Sequence, residues 1–415
     1  MFVKQYRCMR CAAVYEPDDA RMVCDTCGDD GILDIEFDYP AIKQVLTKAS
    51  LAENRDSSIW RYLPLLPVKG TYIERALHVG MTPYYRAQNL ETMFNQKRLS
   101  LKDDSVNPTA SLKDRASIIA VMKAMECNHK VIACASTGNA ATSLAGHAAR
   151  MGLKAKIFVP KRAPKGKLAQ LLAYGADLYR VDGDYKAAYR LSKQAIDHYG
   201  WYNRNAAINP HMVEGKKTVA LEIAEQSHWQ VPDWVVLSVG DGCTIGGVYK
   251  GFSDLLTLGF IDKMPRLLGV QSSGCDPFYQ AWKNDAPLTE TNEDTLADSI
   301  AVGIPRNADK GLRAVKDSRG AFITVDDESI MSAALLLARN EGVFAEPAAA
   351  AALAGYIKAS TMKLIPPDSQ VAIIISGNGL KDTDAVVRHI QTPELYSVDF
   401  NRFKQRSNKK EEKHE

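Results

Sequence analysis

Val131-Ile132-Ala133-Cys134-Ala135-Ser136-Thr137-Gly138-Asn139-Ala140-Ala141-Thr142 joins an apolar run to a short turn of small polar residues and then to a small-residue helix expected over 140–150. It reads as strand, tight turn and helix N-terminus. Such a turn offers free backbone N–H groups and short hydroxyls, and the helix dipole attracts an anion to them. A carboxylate or phosphate would be held there; a plain N-cap by Ser136 or Thr137 is the other reading. The same unit repeats downstream, as strand 156–159, helix 165–174, strand 177–181 and helix 185–199. A second series follows Asn205: helix 214–226, strand 234–239, helix 246–258, strand 266–271, helix 327–341 and strand 370–375. Units of this length imply parallel sheets with right-handed crossovers, so the fold class is α/β.

Three further segments stand at strand ends. Gly240-Asp241-Gly242-Cys243-Thr244-Ile245-Gly246-Gly247 follows an unbroken apolar strand, and its glycines let the backbone approach a phosphate closely. It is neither the spaced dinucleotide fingerprint nor a Walker loop, and tight packing would also explain it. Ser376-Gly377-Asn378-Gly379-Leu380-Lys381-Asp382 puts a hydroxyl at the carboxyl end of a buried strand, where a ligand in the crevice would meet it. Asn107-Pro108-Thr109-Ala110-Ser111-Leu112-Lys113-Asp114-Arg115 sets one lysine among small, turn-forming residues at a helix start. Lys113 fits a reactive amine, which needs a tight, partly desolvated pocket open to an incoming carbonyl.

A chain of 415 residues, 46% of them hydrophobic, exceeds the size of one core, so two main domains and an appendage are expected. The net charge of +3 is too small for a nucleic-acid surface. No apolar run is long enough to span a bilayer and no signal core follows Met1, so a cytoplasmic location is expected. Cys8-x2-Cys11 and Cys24-x2-Cys27 have the knuckle spacing of a structural Zn2+ site, with two disulfides as the alternative in an oxidising compartment. Cys127, Cys134, Cys243 and Cys275 lack partner spacing. The stretch 276–325, with Pro277, Gly303, Pro305 and Gly311, reads as irregular and as a mobile flap over the pocket, and 396–415 as a charged, solvated tail.

In this order the segments resemble the threonine synthase family of fold-type II pyridoxal-phosphate enzymes, the tryptophan synthase β-like group. Trp60-Arg61-Tyr62, Gly80-Met81-Thr82-Pro83-Tyr84 and Glu346-Pro347-Ala348-Ala349-Ala350 are similar to other recurrent elements of that family, and the likeness spans roughly residues 55–390. The resemblance implies two doubly wound open sheets with an N-terminal zinc ribbon (1–35), a large cofactor-binding domain (36–125 and 206–395) and a small domain (126–205). It implies that Lys113 holds pyridoxal 5'-phosphate covalently and that Gly240, Asp241, Gly242, Cys243 and Thr244 receive its phosphate. Asn139 would meet the ring hydroxyl and Ser376 the ring nitrogen, while Ser136, Thr137, Gly138 and Asn139 take the substrate carboxylate. A carboxylate beside a phosphate is costly, so Asp241 is expected to turn away, meet a cation or cap the next helix.

The implied reaction is O-phospho-L-homoserine and water to L-threonine and phosphate, by a homodimer acting on a small amino acid. The substrate's own phosphate then needs a seat. Where the family offers a threonine, a serine and an arginine, this chain has Ala140, Ala207 and Met212. Either Lys161, Arg162, Lys165, His211 or Lys216 compensates, or the enzyme is a relative such as a threonine/serine ammonia-lyase, a diaminopropionate ammonia-lyase or a cysteate synthase.

Overall fold

The computed structural model describes residues 1–17, 21–161, 165–183, 185–205, 208–390, 393, 395–396 and 398–404, with the side chains of 165–167 outside that set. At the N-terminus β1 (Val3–Cys8), β2 (Val14–Tyr15), β3 (Val23–Cys24) and β4 (Gly28–Phe37) form an antiparallel sheet in the order β2-β1-β4-β3. Next comes an antiparallel pair, β5 (Tyr84–Arg86) and β6 (Arg98–Asp103). The motif that opens the chain's α/β pattern becomes β7 (Val131–Ala135), followed by β8 (Lys154–Pro160), β9 (Asp177–Val181) and β10 (Tyr202–Asn203). These four are parallel, in the order β10-β7-β8-β9. Then β11 (Trp234–Ser238), β12 (Arg266–Ser272), β13 (Ala321–Val325) and β14 (Gln370–Ile375) join the earlier pair in a six-stranded sheet, β13-β12-β11-β14-β6-β5.

Alternation along the central strands explains their unbroken apolarity. Val235 and Leu237 of β11, with Ala372 and Ile374 of β14, feed one core, whereas Trp234, Val236, Val371, Ile373 and Ile375 feed another on the opposite face. Helices cover both faces, so side chains pointing either way along the middle of these strands are apolar. The strand order reverses between β11 and β14, and between β7 and β10, and the carboxyl ends of strands at such reversals are where open α/β sheets leave a crevice.

Several expected elements need correcting. The helix expected over 214–226 is two, His211–Lys216 and Thr218–Gln226, and the Thr218 hydroxyl donates back to the Gly215 carbonyl at 2.7 Å where they meet. The stretch 276–325 is not irregular: it carries the helices Pro277–Asn284 and Ala308–Asp317, a 3-10 turn at Asp298–Ile300, and β13. Its Pro277 sits in the first turn of a helix, where no N–H is needed. Gly311 lies inside a helix because the Phe278 ring occupies the space of a side chain, 2.5 Å from where a Cβ would be.

Residues 1–381 form one compact unit and 382–415 a second, which holds the short helix Thr383–Val387. Of the expected tail, residues 397 and 405–415 lie outside the described set. No helix among the described residues is long and apolar enough to cross a membrane. The N-terminal sheet is docked on the larger body: the Tyr6 hydroxyl meets His211 Nε2 at 3.1 Å, and Lys310 donates to the Leu33 carbonyl at 2.7 Å and to Asp34 at 3.1 Å.

Candidate active site and metal centre

Lys113 opens the helix Lys113–Glu126, and the loop before it is pinned to the loop after β14. Leu112 N donates to the Ser376 carbonyl at 2.9 Å, Asn378 N donates to the Ala110 carbonyl at 3.1 Å, and Ser111 pairs with Gly377. From inside, the buried Asp114 carboxylate accepts from Thr109 N (2.7 Å), Thr109 Oγ1 (2.6 Å) and Ser143 Oγ (2.7 Å), and lies 3.1 Å from His147 Nε2. Burial alone would raise its pKa, but the bonds from His147, Ser143 and Thr109 outweigh burial and hold it below the ordinary value. The lysine is thereby fixed in place by its own sequence neighbour.

A cavity of about 680 Å³ opens at the carboxyl ends of β7, β11 and β14, and the four segments singled out in the sequence all line it: Lys113, the 136–140 turn, the 240–244 loop and Ser376. Burial, then the neighbouring Lys216 cation, pulls the Lys113 amine down to about 8, against the attraction of Glu346. Near neutral pH such an amine stays mainly protonated, but its neutral fraction is far larger than that of an ordinary lysine. Asn139 begins the helix Asn139–Met151, and its amide nitrogen donates to both carboxylate oxygens of Glu346, at 2.8 and 2.9 Å.

In the glycine-rich loop Gly242 has φ +86°, and a Cβ there would lie 2.6 Å from the Asn307 carbonyl oxygen, so only glycine serves. Gly242 leads into the helix Cys243–Leu258, whose N-terminus faces the cavity. Asp241 does not cap that helix. One oxygen accepts from Arg306 N at 2.8 Å and the other faces the Cys243 thiol at 3.4 Å. Burial pushes its pKa up, which lessens the conflict with an anion in the loop.

Of the cations weighed for a second anion, Lys216 lines the cavity. His211 is buried between Tyr6, Tyr202 and Asn209, and Lys161 pairs at the surface with Asp182 at 2.8 Å. Arg162, Ala207 and the Lys165 side chain fall outside the described residues. Met212 is fully buried in an apolar cluster. Sequence reasoning alone misses Arg204 and Tyr185, which line the cavity; residues between 293 and 306, inside the stretch expected to lie over the pocket, line it too. Arg204 follows β10, a two-residue strand too short to leave a pattern.

In the N-terminal sheet the sulfurs of Cys8, Cys11, Cys24 and Cys27 lie within 4.8 Å of one another, and all eight cysteines are free thiols. Tetrahedral zinc with bonds of about 2.3 Å needs sulfurs roughly 3.8 Å apart, so the four are already gathered to the required scale. A Cβ at Gly31 would lie 2.5 Å from Cys24 Cβ and 2.6 Å from Cys27 Cβ, so the second knuckle closes only over a glycine.

Comparison with known proteins agrees with this geometry. The family profile described as "Pyridoxal-phosphate dependent enzyme" matches residues 75–377. A threonine synthase of Methanocaldococcus jannaschii is 39% identical over 96% of this chain and 98% of its own length, and one of Synechocystis sp. is 38% identical over 79% and 84%. Among solved structures, threonine deaminase isoform 2 from Solanum lycopersicum superposes with a TM-score of 0.65 at 20% identity, over 81% of this chain and 94% of that one. Maize serine racemase gives 0.62 at 24%, over 80% and 93%. With a cavity that gathers a walled lysine, two anion-binding turns and a strand-end hydroxyl, the chain belongs to the pyridoxal-phosphate-dependent enzymes and, within them, to the threonine synthase family.

Proposed function

We propose that the chain converts O-phospho-L-homoserine and water to L-threonine and phosphate, as a pyridoxal-phosphate-dependent lyase. The observation that carries the reading is the Lys113 amine, lowered to about 8 and enclosed in the same cavity as Ser376. Pyridoxal phosphate fits the residues present: the 240–244 loop and the helix N-terminus behind it suit its phosphate, and the cavity volume suits its ring. When bound, it supplies a carbonyl that captures amines and a ring that takes up the electron pair released at the amino acid's α-carbon. The domain division expected from the sequence, 36–125 with 206–395 against 126–205, would put the lysine and the glycine loop on one side and the 136–140 turn on the other.

In this reading Lys113 would hold the cofactor, and its amine, when free, would take and return protons at the substrate carbons. Its lowered basicity matches that task, because a proton carrier works best with a pKa near the working pH. Ser136, Thr137 and the N–H groups of the turn orient the substrate carboxylate. The Asn139 amide nitrogen lies within reach of both Glu346 oxygens, and with two hydrogens it could keep one on the carboxylate and turn the other to the ring oxygen. Ser376, at the end of its strand, would face the ring nitrogen with a neutral hydroxyl, which provides no anion to hold a proton there and so would suit elimination and replacement better than transamination. Residues of the 298–306 segment form part of the cavity wall.

The test is product identification. The holoenzyme should release inorganic phosphate from O-phospho-L-homoserine with threonine in equal amount, and form little 2-oxobutyrate from threonine. The reverse pattern would favour an ammonia-lyase, the reading that Ala140 and Met212 support by offering a substrate phosphate no contact.

The four-cysteine cluster is proposed to hold one structural Zn2+, since four thiolates leave no open position for catalysis. Cys24→Ser should lose the metal, read by elemental analysis of the purified chain, and become sensitive to protease within residues 1–37 while still loading the cofactor. A variant that folds but cannot load it would contradict a structural role. We further assign the chain to the cytoplasm and to a homodimer, on the strength of its family.

A further inference from the structure

Arg204 and Lys216 are buried cations of the cavity that Lys113 also lines, at 2% and 3% exposure. Neither has a carboxylate partner among the described residues. The Arg204 guanidinium donates to the Ser117 hydroxyl, through Nε at 3.3 Å and Nη2 at 2.8 Å, and Lys216 meets only the Cys243 thiol. The nearby carboxylates are otherwise engaged: Asp241 by the Arg306 N–H and Glu346 by Asn139. Lys217 and Arg115, equally buried, have counter-charges, in Asp254 and in Asp104 with Glu222. A buried cation without a counter-charge is costly, so an arrangement that keeps two of them facing one cavity is built for an anion that arrives from outside.

One anion is already provided for. The cofactor's phosphate has the N–H groups of the 240–244 loop and a sixteen-residue helix behind them. Two further positive charges balance a second phosphate dianion. We propose that Lys216, backed by Arg204, seats the phosphate group of the substrate and so decides in favour of a phosphorylated amino acid. This rests on the reading of the reaction given above and names the side chains that make it possible.

Local structure supports a fixed amine. Lys216 ends the helix His211–Lys216, and a Cβ at Gly247 would lie 3.0 Å from Lys216 Cβ. The glycine-rich helix therefore packs directly on the stem of the lysine and limits where its amine can go. One turn earlier on the same helix, Met212 is sealed in the apolar core, so the charge enters from position 216.

The experiment uses cofactor-loaded enzyme and inorganic phosphate as the probe. Phosphate affinity is measured by equilibrium dialysis, cofactor occupancy by absorbance, and KM and kcat with O-phospho-L-homoserine. Lys216→Gln should weaken phosphate binding about tenfold to a hundredfold, the effect of losing one charge-assisted hydrogen bond. It should raise KM more than it lowers kcat, with cofactor occupancy unchanged. Lys216→Arg should retain most of the affinity, and Arg204→Gln should weaken it in the same direction, which keeps the test open should one variant fail to fold. Unchanged phosphate affinity in Lys216→Gln would overturn the proposal. So would loss of cofactor with normal phosphate binding by the fraction still loaded, which would assign Lys216 to the cofactor's phosphate. If the wild-type enzyme releases no phosphate from the substrate, the reaction assigned above fails, independently of what Lys216→Gln does to the dialysis result.

Discussion

Lys113→Ala will abolish turnover, by roughly 10³-fold or more, while the protein still folds. The amine is asked to hold the cofactor and to move protons, and loss of one positioned proton-transfer group alone removes about 10²- to 10⁴-fold of rate. Borohydride treatment of the cofactor-saturated variant should add no mass, whereas the wild type should gain one reduced cofactor per chain. A variant with undiminished turnover, or one still labelled by reduction, would remove Lys113 from the chemistry. Its effect on stability has a definite sign. The folded amine sits near 8 against an ordinary 10.5, pulled down by burial and then by Lys216. Between those two values the unfolded chain holds a proton that the folded chain does not, so this group makes apoprotein stability rise with pH across that window. Below about pH 8 it opposes folding by a constant amount. Lys113→Ala should therefore melt at or slightly above the wild-type apoprotein at pH 7, and the difference should shrink as pH rises from 8 towards 10.5. A large drop in melting temperature at pH 7 would mean that the side chain has a packing role the cavity does not suggest.

Much of this arrangement is legible in the amino-acid sequence, and the reason is local. Val131–Ala135, Trp234–Ser238 and Gln370–Ile375 are apolar but for Ser238 and Gln370 at strand ends, because helices cover both faces of their sheets, so the strands announce themselves and the small polar residues after them mark the crevice. The bounds of the second and third helices of the small sheet follow from the same periodicity. What stays hidden depends on topology. Arg204 and Lys216 sit a dozen residues apart, Lys216 meets Cys243 of a third segment, and both look like surface cations until burial shows otherwise. Glu346 stands out in the sequence for its family pattern, not for its bond to Asn139, because the two residues are 207 positions apart. The region after Cys275 misleads for a different reason: its prolines and glycines serve helix starts and close helix contacts, uses that resemble loop chemistry in a sequence. Asp114 shows the converse. It reads as one more charge beside the lysine, and it proves to be the residue that ties Thr109, Ser143 and His147 into the floor of the lysine loop.

Arg115→Met should be the most destabilising single change near the site, at about 3–5 kcal/mol, the range found when one partner of a buried ion pair is removed. Two residues past Lys113, its guanidinium is wholly buried and donates to both oxygens of Asp104, at 2.6 and 2.8 Å, to Glu222 at 2.7 Å and to the Thr218 hydroxyl at 2.8 Å. Lys102 completes the cluster at 2.6 Å from Glu222, so two cations meet two carboxylates with no exposed atom among them. Methionine fills a similar volume but leaves a net buried negative charge. The pKa directions agree on where the strength lies. Burial opposes charge on both groups, yet Asp104 and Glu222 hold Arg115 above its ordinary value, and Arg115 with Lys102 holds Glu222 down to about 2. Lys102 runs the other way, lowered by burial ahead of the attraction of Glu222, so the arginine contacts carry the cluster. A carboxylate with a depressed folded pKa contributes stability that is present above its ordinary value near 4.5 and is lost as pH falls towards 2. In Arg115→Met only Lys102 remains to depress Glu222, so the gap in melting temperature between variant and wild type should be widest above pH 4.5 and narrow on acidification. Adding Glu222→Gln to Arg115→Met restores neutrality with Lys102 and Asp104, and should recover part of the loss. A double variant less stable than Arg115→Met alone would show that hydrogen-bond geometry, not charge balance, is what this cluster supplies beneath the lysine.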